Sequence, residues 1–263
     1  MFRVTSFNLN GIRAASRKGW LQWAADHNAD VICVQEIKAQ EKDLDASMRA
    51  IQGPRGELKG YFFPAQKPGY AGTAIYSLHP PLELFRGFGE AEFDDEGRYI
   101  EIDLGAFAVI SLYVPSGSSS EERLASKFRF MRRFESHVKT LNHRGKPYVI
   151  AADWNVAHRE IDLKNWRSNQ RNPGFLPEER QWIEALIREQ GLVDVFRALA
   201  PEQVMYTWWS HRGAAFANDV GWRLDYQLAH PDMAARARAW QVNREPRFSD
   251  HAPFTVDYDM ALS

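Results

Sequence analysis

The chain has 263 residues, with 33 Lys or Arg against 34 Asp or Glu, so its formal net charge is −1. This balance argues against a histone-like nucleic-acid binder, which needs a large basic excess. It does not exclude a nucleic-acid substrate, because a basic face can coexist with an acidic site. At 44% hydrophobic and 25% charged residues, the composition is typical of a globular protein rather than a disordered one.

A single cysteine and the hydrophobicity pattern exclude further classes. Cys33 has no second cysteine with which to form an intrachain disulfide or a multi-cysteine zinc site, and its apolar neighbours indicate a buried, inert thiol. The N-terminal residues alternate between apolar and polar, unlike a signal peptide. No apolar run reaches the roughly 18 residues of a membrane span. We therefore expect a cytoplasmic protein with no membrane partner.

Short apolar runs predict strands along the whole chain. They cover residues 2–7, 31–35, 73–76, 99–104, 107–113, 148–152, 226–229 and 253–258. Amphipathic patterns predict helices over residues 20–27, 121–142, 178–190 and 193–199. No long linker divides the chain, and the loop-like stretch Ser116–Ser120 precedes a helix start. Strands mixed with helices favour α/β layers, and we expect one domain over residues 1–263.

Two of the predicted strands end in similar polar pairs. Asn8 and Asn10 follow the first strand, and Asp153 and Asn155 follow a later one. Because side chains at positions i and i+2 of a strand share a face, each pair is expected to point into one cleft. Asn and Asp also end strands for turn reasons, so ordinary strand-to-loop corners are the alternative interpretation.

Two further positions suggest chemistry. Gln35 and Glu36 follow the apolar run 31–34 directly, at a strand end where α/β proteins place their sites. Mg²⁺ often uses only one or two carboxylates. Glu36 is therefore a candidate metal ligand, with a solvated glutamate as the alternative. His251 follows Asp250, but adjacent side chains point apart. Asp225 is the better candidate to orient His251 by accepting one of its N–H groups.

Aromatic and basic residues cluster locally. Consecutive tryptophans cannot both enter one core, so we expect Trp209 in the core and Trp208 at a surface or pocket, near Trp222. Such flat walls suit a nucleotide turned out of a helix. Basic residues exceed acidic ones by five in residues 121–147 and by three in residues 236–247. We expect these segments and the basic loop Gly11–Lys18 to form a cationic rim around an anionic cleft, with an ordinary solvated face as the alternative.

Seven motifs together resemble the exonuclease III family of apurinic/apyrimidinic endonucleases, within the endonuclease/exonuclease/phosphatase superfamily. The resemblance covers essentially the whole chain. Any one motif is weak, but the set in this order is specific. The motifs are Asn8–Arg13, Gln35–Lys38, Gly69–Ala74, Ser111–Gly117, Asp153–Asn155, Gly221–Tyr226 and Ser249–Pro253. The run Asp162–Trp166 resembles the family as well.

The resemblance implies a four-layered α/β sandwich, in which two mixed β-sheets pack face to face and are flanked by helices. It implies Mg²⁺-dependent hydrolysis of the phosphodiester 5′ to an abasic site in double-stranded DNA, as in base excision repair. The products are a 3′-hydroxyl and a 5′-deoxyribose phosphate. Many members also act on blocked 3′ ends as 3′-phosphatases, 3′-phosphodiesterases or 3′→5′ exonucleases. We expect a monomer.

The resemblance implies a metal site around Glu36. There, Mg²⁺, or Mn²⁺ as a substitute, would neutralise the scissile phosphate and the leaving 3′-oxygen. The other residues that the resemblance places near the metal are Asn8, Asn10, Asp153, Asn155, Asp250 and His251. Asn10 stands where several relatives carry Asp, so the site has one nearby carboxylate fewer, and its preference between the two metals stays open.

Five residues receive catalytic roles from the resemblance. Asp153 would take a proton from the attacking water, and Asn155 would hold Asp153 or the phosphate. His251, oriented by Asp225, would donate to a phosphate oxygen. Tyr113 would hydrogen-bond the same phosphate.

The implied substrate-binding residues are Trp208, Trp222, Leu224, Arg13, Tyr70 and Ser116. The first three would enclose the flipped abasic sugar and exclude a normal nucleotide, so the missing base becomes the basis of selectivity.

Two alternatives use parts of the same pattern. A superfamily phosphatase or phosphodiesterase acting on inositol phosphates or phospholipids would need the same hydrolytic residues. A DNA-binding relative that had lost its chemistry would keep the basic faces. Glu36, Asp153, Asp225 and His251 are all present, which argues against the second alternative.

Overall fold

Two large β-sheets stack face to face in the computed structural model, which describes residues 1–262. The strands are β1 (Phe2–Asn8), β2 (Val31–Gln35), β3 (Ala50–Gly53), β4 (Gly56–Phe63), β5 (Thr73–Ser77), β6 (Glu83–Arg86), β7 (Tyr99–Asp103), β8 (Ala108–Tyr113), β9 (Tyr148–Asp153), β10 (Val193–Asp194), β11 (Trp208–Trp209), β12 (Gly221–Trp222), β13 (Asp225–Ala229), β14 (Ala237–Val242) and β15 (Phe254–Tyr258).

Helices connect and cover these strands. They are α1 (Ile12–Arg17), α2 (Trp20–Asp26), α3 (Ala46–Arg49), α4 (Ala91–Asp94), α5 (Glu121–His143), α6 (Trp166–Asn169), α7 (Pro177–Arg188), α8 (Val195–Leu199) and α9 (Pro231–Ala234). Short 3₁₀ turns form at Glu41–Asp43 and Glu160–Asp162. Within residues 1–262, no helix combines the length and the apolar character that crossing a membrane requires.

Both large sheets are mixed and share a pattern. The first has the order β14-β15-β1-β2-β5-β4-β3, and the second has the order β10-β13-β9-β8-β7-β6. In the first, the parallel pair β1–β2 lies between antiparallel β15 and β5. In the second, the parallel pair β8–β9 lies between antiparallel β7 and β13. Strands β1 and β9 therefore hold corresponding places.

Alternation along β2 shows how the sheets stack. Cys33 belongs to the core between the sheets, whereas Ile32 and Val34 pack into the core that includes residues of α1 and α2. Gln35 reaches across the interface, and its Nε2 donates to Ser111 Oγ at 3.1 Å. Burial raises the pKa of the Cys33 thiol, as the apolar flanks predict.

Helices cover both outer faces. On the first sheet, Trp20 of α2 packs edge-on against Phe7 with ring centroids 6.5 Å apart. On the second sheet, Phe134 of α5 contacts Trp182 of α7 at a centroid distance of 6.5 Å. Helix α5 begins where expected, because Ser120 Oγ accepts the backbone N–H of Arg123. The four-layered α/β sandwich is confirmed.

Each predicted strand is present, with its ends displaced by no more than one residue. The helix predicted over residues 193–199 is partly wrong. Val193 and Asp194 pair with β13, and the helix begins only at Val195 because the Asp194 carboxylate caps it. Strands β3, β4, β6 and β14 lack apolar runs because they lie at or beside sheet edges and stay half exposed.

The buried core predicts a large difference between two apolar truncations. Ile110 in β8 is 0% exposed, whereas Leu82 is 76% exposed. We expect Ile110→Ala to lower the free energy of unfolding by about 2–5 kcal/mol, because it leaves a cavity. Leu82→Ala should change it by less than about 0.5 kcal/mol. Urea denaturation measures both, and equal losses would contradict this packing.

Candidate active site

Ends of central strands from the two sheets meet at one place. Tyr113, Asp153 and Asp225 stand directly opposite one another on β8, β9 and β13. Their side chains therefore share one face of the second sheet. That face meets the first sheet, since Asn8 at the end of β1 donates from Nδ2 to Asp153 Oδ2 at 2.8 Å.

Matching turns follow β1 and β9. Asn10 N donates to Asn8 Oδ1, and Asn155 N donates to Asp153 Oδ1, both at 2.9 Å. Asn10 and Asn155 have left-handed φ values of 48° and 50°. The four side chains thus lie near one cleft, but the reason differs from the one we expected. The second residue of each pair reaches the cleft through an Asx turn rather than along the strand.

Glu36 is held tightly inside this cleft. Its Oε1 accepts from Asn8 Nδ2 at 3.0 Å and from the Tyr113 hydroxyl at 2.7 Å. Its Oε2 lies 2.6 Å from Lys38 Nζ, and its side chain is only 15% exposed. A freely solvated glutamate does not describe this position. Burial opposes ionisation of Glu36, but the Lys38 charge and the donated hydrogen bonds lower its pKa overall.

Strained backbone supports Glu36. Glu36 and Lys38 have φ values of 51° and 48°, which is uncommon for residues other than Gly and Asn and is concentrated at functional sites. Lys38 N donates to Ala71 O, and Ile37 N donates to Gly72 O. Gly72 has a φ of +81°, and a Cβ there would lie 2.7 Å from Ile37 Cγ1. The motif Gly69–Ala74 thus holds the Glu36 turn.

His251 lies between two carboxylates. Its Nδ1 lies 2.7 Å from Asp225 Oδ2, and its Nε2 lies 3.9 Å from Asp153 Oδ2. Asp250 turns away from His251 and instead accepts from Asn10 Nδ2 at 2.9 Å and from Trp208 Nε1 at 3.0 Å. Asp225, and not Asp250, orients the imidazole.

These contacts shift the pKa values of the buried groups. Burial lowers the pKa of His251, but Asp225 and Asp153 outweigh it and raise the pKa to about 10. Burial raises the pKa of Asp153 to about 7, with Asp225 adding to the shift and His251 opposing it. Burial raises the pKa of Asp250, but the His251 charge and the hydrogen bonds from Asn10 and Trp208 together outweigh it and lower the pKa to about 2. Burial keeps the Tyr113 phenol protonated, because its pKa lies well above 10.

The cleft in front of these groups has a volume of about 390 Å³. Its lining residues are Asn10, Glu36, Lys38, Tyr113, Ser116, Ser118, Asn155, Pro173, Gly174, Trp208, Trp222, Leu224, Asp250 and His251. Asn8, Asp153 and Asp225 do not line the cleft and are fully buried or nearly so. The ionisable side chains of Glu36, Asp250 and His251 therefore share one cavity with the aromatic side chains of Trp208 and Trp222.

One wall of the cleft is apolar. Trp208 and Trp222 pair across β11 and β12, with ring centroids 6.2 Å apart at 82°. Leu224 and Phe175 pack in the same cluster. Trp209 is only 1% exposed, so the two consecutive tryptophans separate as expected, one to the cleft and one to a core.

A buried charge network supports this wall and was not predicted. Arg223 lies between Trp222 and Leu224 in sequence and is 0% exposed. It donates from Nε and Nη2 to Asp162 at 2.8 and 3.0 Å, and from Nη2 to Asp194 at 2.8 Å. A bidentate pair of this kind fixes the backbone on both sides of the arginine. The sequence signals were the Asp162–Trp166 resemblance and the motif Gly221–Tyr226, which contains Arg223, and neither indicated a buried ion pair.

A second buried pair supports the turn after β9. Lys127 Nζ lies 2.5 Å from Glu179 Oε1 and donates to Asn155 O at 2.8 Å. Glu179 Oε2 also accepts from Gly174 N at 2.7 Å. This pair joins α5 and α7 to two segments that line the cleft. A lysine in an amphipathic helix normally indicates a solvated face, so the sequence did not predict this buried ion pair.

The expected cationic rim along α5 is only partly present. Most basic residues of segment 121–147 contact carboxylates, as Arg129 does with Glu92 and Arg144 with Glu101. Within residues 1–262, Arg132 is the one basic residue of that segment without an ion pair. A local excess of charge therefore does not translate into an equal excess of free cations.

Two expected substrate-binding residues lie outside the cleft lining. Arg13 is exposed on α1. Tyr70 packs beside Tyr113, and its hydroxyl accepts from Arg98 Nη2 at 3.1 Å. The Arg98 guanidinium also lies 4.7 Å from the centroid of the Tyr113 ring. Arg98 therefore supports both tyrosines, and nothing in its local sequence indicated that place.

Two groups of side chains have the chemistry to hold a cation. Asp153, Asp225 and His251 offer ligand atoms within 4.8 Å of one another. In that group, however, the imidazole already pairs with Asp225 and keeps its proton. Glu36 and Asn10 offer oxygen ligands, which suit a hard cation. The Lys38 ammonium already bridges them, 2.6 Å from Glu36 Oε2 and 2.5 Å from Asn10 Oδ1.

Comparison with known proteins places the chain in a family. The model of the Endonuclease/Exonuclease/phosphatase family matches residues 5–251, so the chain belongs to that family. The chain is 34% identical to an exodeoxyribonuclease of Bacillus subtilis, over 95% of this chain and 97% of that protein. It is 36% identical to DNA repair nuclease APEX1 of Danio rerio, over 97% and 81%.

Solved structures agree with this assignment. An AP endonuclease from Archaeoglobus fulgidus matches with a TM-score of 0.87 and 28% identity, covering 99% of this chain and all of that one. The 3′ phosphatase NExo from Neisseria, bound to a product DNA hairpin, matches with a TM-score of 0.88 and 25% identity over 99% and 100%. The predicted enzyme class, a phosphodiesterase of the nuclease type, is confirmed.

The raised pKa of His251 makes stability depend on pH. The folded protein binds this proton with a pKa of about 10, against 6.5 for an ordinary imidazole. The stabilisation is therefore complete below pH ~6.5 and is lost as the pH rises toward 10. In EDTA, we expect the advantage of wild type over His251→Gln to shrink by about 2 kcal/mol or more across that range. Urea denaturation at several pH values tests this, and a constant difference would contradict it.

Proposed function

We propose that this protein is a divalent-metal-dependent DNA repair nuclease that hydrolyses the phosphodiester 5′ to an abasic site. It leaves a 3′-hydroxyl and a 5′-deoxyribose phosphate. The observation that carries the proposal is that His251 lines one cleft with Trp208 and Trp222. Behind His251, Asp225 Oδ2 lies 2.7 Å from its Nδ1, and Asp153 Oδ2 lies 3.9 Å from its Nε2. Relatives over nearly the whole chain are named as exodeoxyribonuclease and DNA repair nuclease, which supports it.

Glu36, Asn10, Asn8 and Asp250 are the proposed surroundings of Mg²⁺, for which Mn²⁺ can substitute. All four carry carboxylate or amide oxygens, the ligands of hard cations. A bound divalent cation would neutralise charge on the scissile phosphate and on the leaving oxygen. The chain supplies an ionised carboxylate for this cation, because the pKa of Glu36 is lowered. Hydrogen bonds from Asn8 and Tyr113 hold that carboxylate in place.

Asp153 is the proposed general base, in the vicinity of the metal. Asn8 and Asn155 donate to its Oδ2 at 2.8 and 3.2 Å, so the carboxylate has one orientation. Its raised pKa, about 7, suits proton transfer at neutral pH. The attacking water would give its proton to this carboxylate as the new bond to phosphorus forms. The bond between phosphorus and the leaving 3′-oxygen would break in the same step, and that oxygen would take up a proton from solvent to become the 3′-hydroxyl. Asn155 further fixes the turn by donating to Val114 O.

His251 and Tyr113 are the proposed donors to the phosphate. His251 keeps its proton because Asp225 holds Nδ1, which leaves Nε2 to donate to a phosphate oxygen. Tyr113 keeps its hydroxyl proton and donates it to Glu36 at 2.7 Å, so phosphate binding requires it to change partner. Both donors stabilise negative charge that develops during hydrolysis.

Trp208, Trp222 and Leu224 are the proposed walls for the flipped abasic sugar. Gly174 presses against this wall, and a Cβ there would lie 3.2 Å from Trp222 Cζ3. A pocket this closely bounded admits a sugar without a base more readily than a full nucleotide. Ser116 lines the cleft, and Tyr70 and Arg13 lie farther out. All three are proposed to contact the DNA backbone.

The proposal includes the setting in which the enzyme works. Residues 1–263 act as one domain and as a monomer on double-stranded DNA with abasic sites or blocked 3′ ends. A 3′-phosphatase or 3′→5′ exonuclease activity at the same site accords with the relative named as a 3′ phosphatase. A cytoplasmic location accords with a single, buried free cysteine.

The decisive experiment uses a duplex that carries one tetrahydrofuran abasic analogue. We expect cleavage on its 5′ side with Mg²⁺, and no cleavage with EDTA, because charge neutralisation is lost. An undamaged duplex and an inositol polyphosphate are the controls. Turnover of the inositol polyphosphate without cleavage of the abasic duplex would favour a phosphatase of the same family and refute the proposal.

Asp153→Asn tests the general base. The amide keeps the shape but cannot take a proton, so kcat should fall at least about 100-fold. The Kd for the abasic duplex should stay within about threefold. Asp232→Asn is the matched control, because Asp232 is 75% exposed on α9. Near-normal turnover of Asp153→Asn in a gel-based cleavage assay would remove Asp153 from this role.

A further inference from the structure

Lys38 lines the cleft beside Glu36, and the proposed function gives it no task. Its ammonium lies 2.6 Å from Glu36 Oε2 and 2.5 Å from Asn10 Oδ1. The side chain is 34% exposed. Its backbone is fixed in a left-handed conformation and donates to Ala71 O. The base of this side chain is therefore rigid, while the side chain as a whole is partly open to solvent.

The ammonium occupies the oxygens that a divalent cation would use. Glu36 and Asn10 each offer an oxygen, and Lys38 bridges the two. An ammonium and a divalent cation at the same oxygens repel each other, because the repulsion between like charges at short range is only weakly screened in a partly buried site. Lysine can yield, since its charge sits on a flexible four-carbon stem.

The cleft also needs an added positive charge when DNA arrives. Glu36, Asp250, Asp225 and Asp153 bring several carboxylates to one place, and a phosphate is repelled by them. Among the lining side chains, only Lys38 and His251 carry positive charge. His251 already has two carboxylate neighbours. A lysine released from Glu36 is the free cation that the cleft can offer to a phosphate.

We propose that Lys38 is a tethered cation that leaves Glu36 and Asn10 when a divalent metal ion binds and then pairs with a phosphate oxygen of the DNA. This inference rests on the proposed function for its substrate. Lys38 is a substrate-binding residue in this account, and its contribution to DNA binding depends on the metal. By thermodynamic reciprocity, DNA and metal then strengthen each other's binding through this side chain.

Metal binding without DNA provides the first test. Isothermal titration calorimetry with MgCl₂ compares wild type, Lys38→Gln and the control Lys42→Gln, whose lysine is exposed on the nearby 3₁₀ turn. Removing the competing charge should lower the Kd for Mg²⁺ at least about tenfold. The control should change it by less than about twofold. Unchanged or weaker Mg²⁺ binding by Lys38→Gln would refute the competition.

DNA binding provides the second test and separates exchange from a simple phosphate contact. Fluorescence anisotropy with the tetrahydrofuran duplex is measured in an Asp153→Asn background, where cleavage is blocked. In EDTA, Lys38 stays on Glu36, so Lys38→Gln should change the Kd by less than about twofold. With Mg²⁺, the same substitution should weaken binding about tenfold. Equal effects in both buffers would overturn the exchange.

The two proposals fail in different ways. Thermal melts in EDTA first establish that each variant is folded. If wild type cleaves the abasic duplex but Lys38→Gln shows no change in Mg²⁺ affinity, the inference about Lys38 is wrong and the proposed function stands. If Lys38→Gln tightens Mg²⁺ binding while wild type leaves the abasic duplex intact, the proposed function is wrong and the metal competition stands.

Discussion

The hydrogen bond from Asn8 Nδ2 to Asp153 Oδ2 is the interaction on which the site depends, because it joins the two sheets where both end. Asn8 donates from the same nitrogen to Glu36 on the first sheet. Asp153 lies in register with Asp225 and Tyr113 on the second. A single amide thus aligns the proposed metal side with the proposed hydrolytic side. Face-to-face stacking of the sheets is what brings these groups within hydrogen-bond range.

Such a site accumulates buried charge, and the surrounding structure compensates for it. Lys127 pairs with Glu179 behind the turn after β9, and Arg223 pairs with Asp162 behind the aromatic wall. Burying an ion without a partner costs several kcal/mol, so each pair holds its segment in one arrangement. The residues that touch the cleft are therefore positioned by ions that lie outside it. Replacing one partner would leave the other charge buried and unpaired, with consequences that reach the cleft.

Backbone strain is also concentrated around the cleft. Asn10, Glu36, Lys38 and Asn155 all adopt left-handed conformations around one cavity. Asparagine tolerates this conformation well, but glutamate and lysine do so only when the surroundings enforce it. At Glu36 and Lys38 the enforcement comes from the segment ending in Gly72, because Ala71 O and Gly72 O accept from Lys38 N and Ile37 N. The placement of Glu36 thus depends on a glycine that contributes no side chain.

The amino-acid sequence by itself determined the central strands, because continuous apolar runs are local properties. Seven ordered motifs carried the resemblance to the family, and the two-sheet architecture was predicted through that resemblance. It also indicated that Asp225, rather than Asp250, orients His251, since neighbouring side chains diverge. Only the tertiary structure placed Arg98 under Tyr113 and paired Lys127 with Glu179. Those contacts join residues far apart in the chain. Whether a charged side chain is solvated or buried depends on what packs against it, and periodicity in one segment carries no record of that.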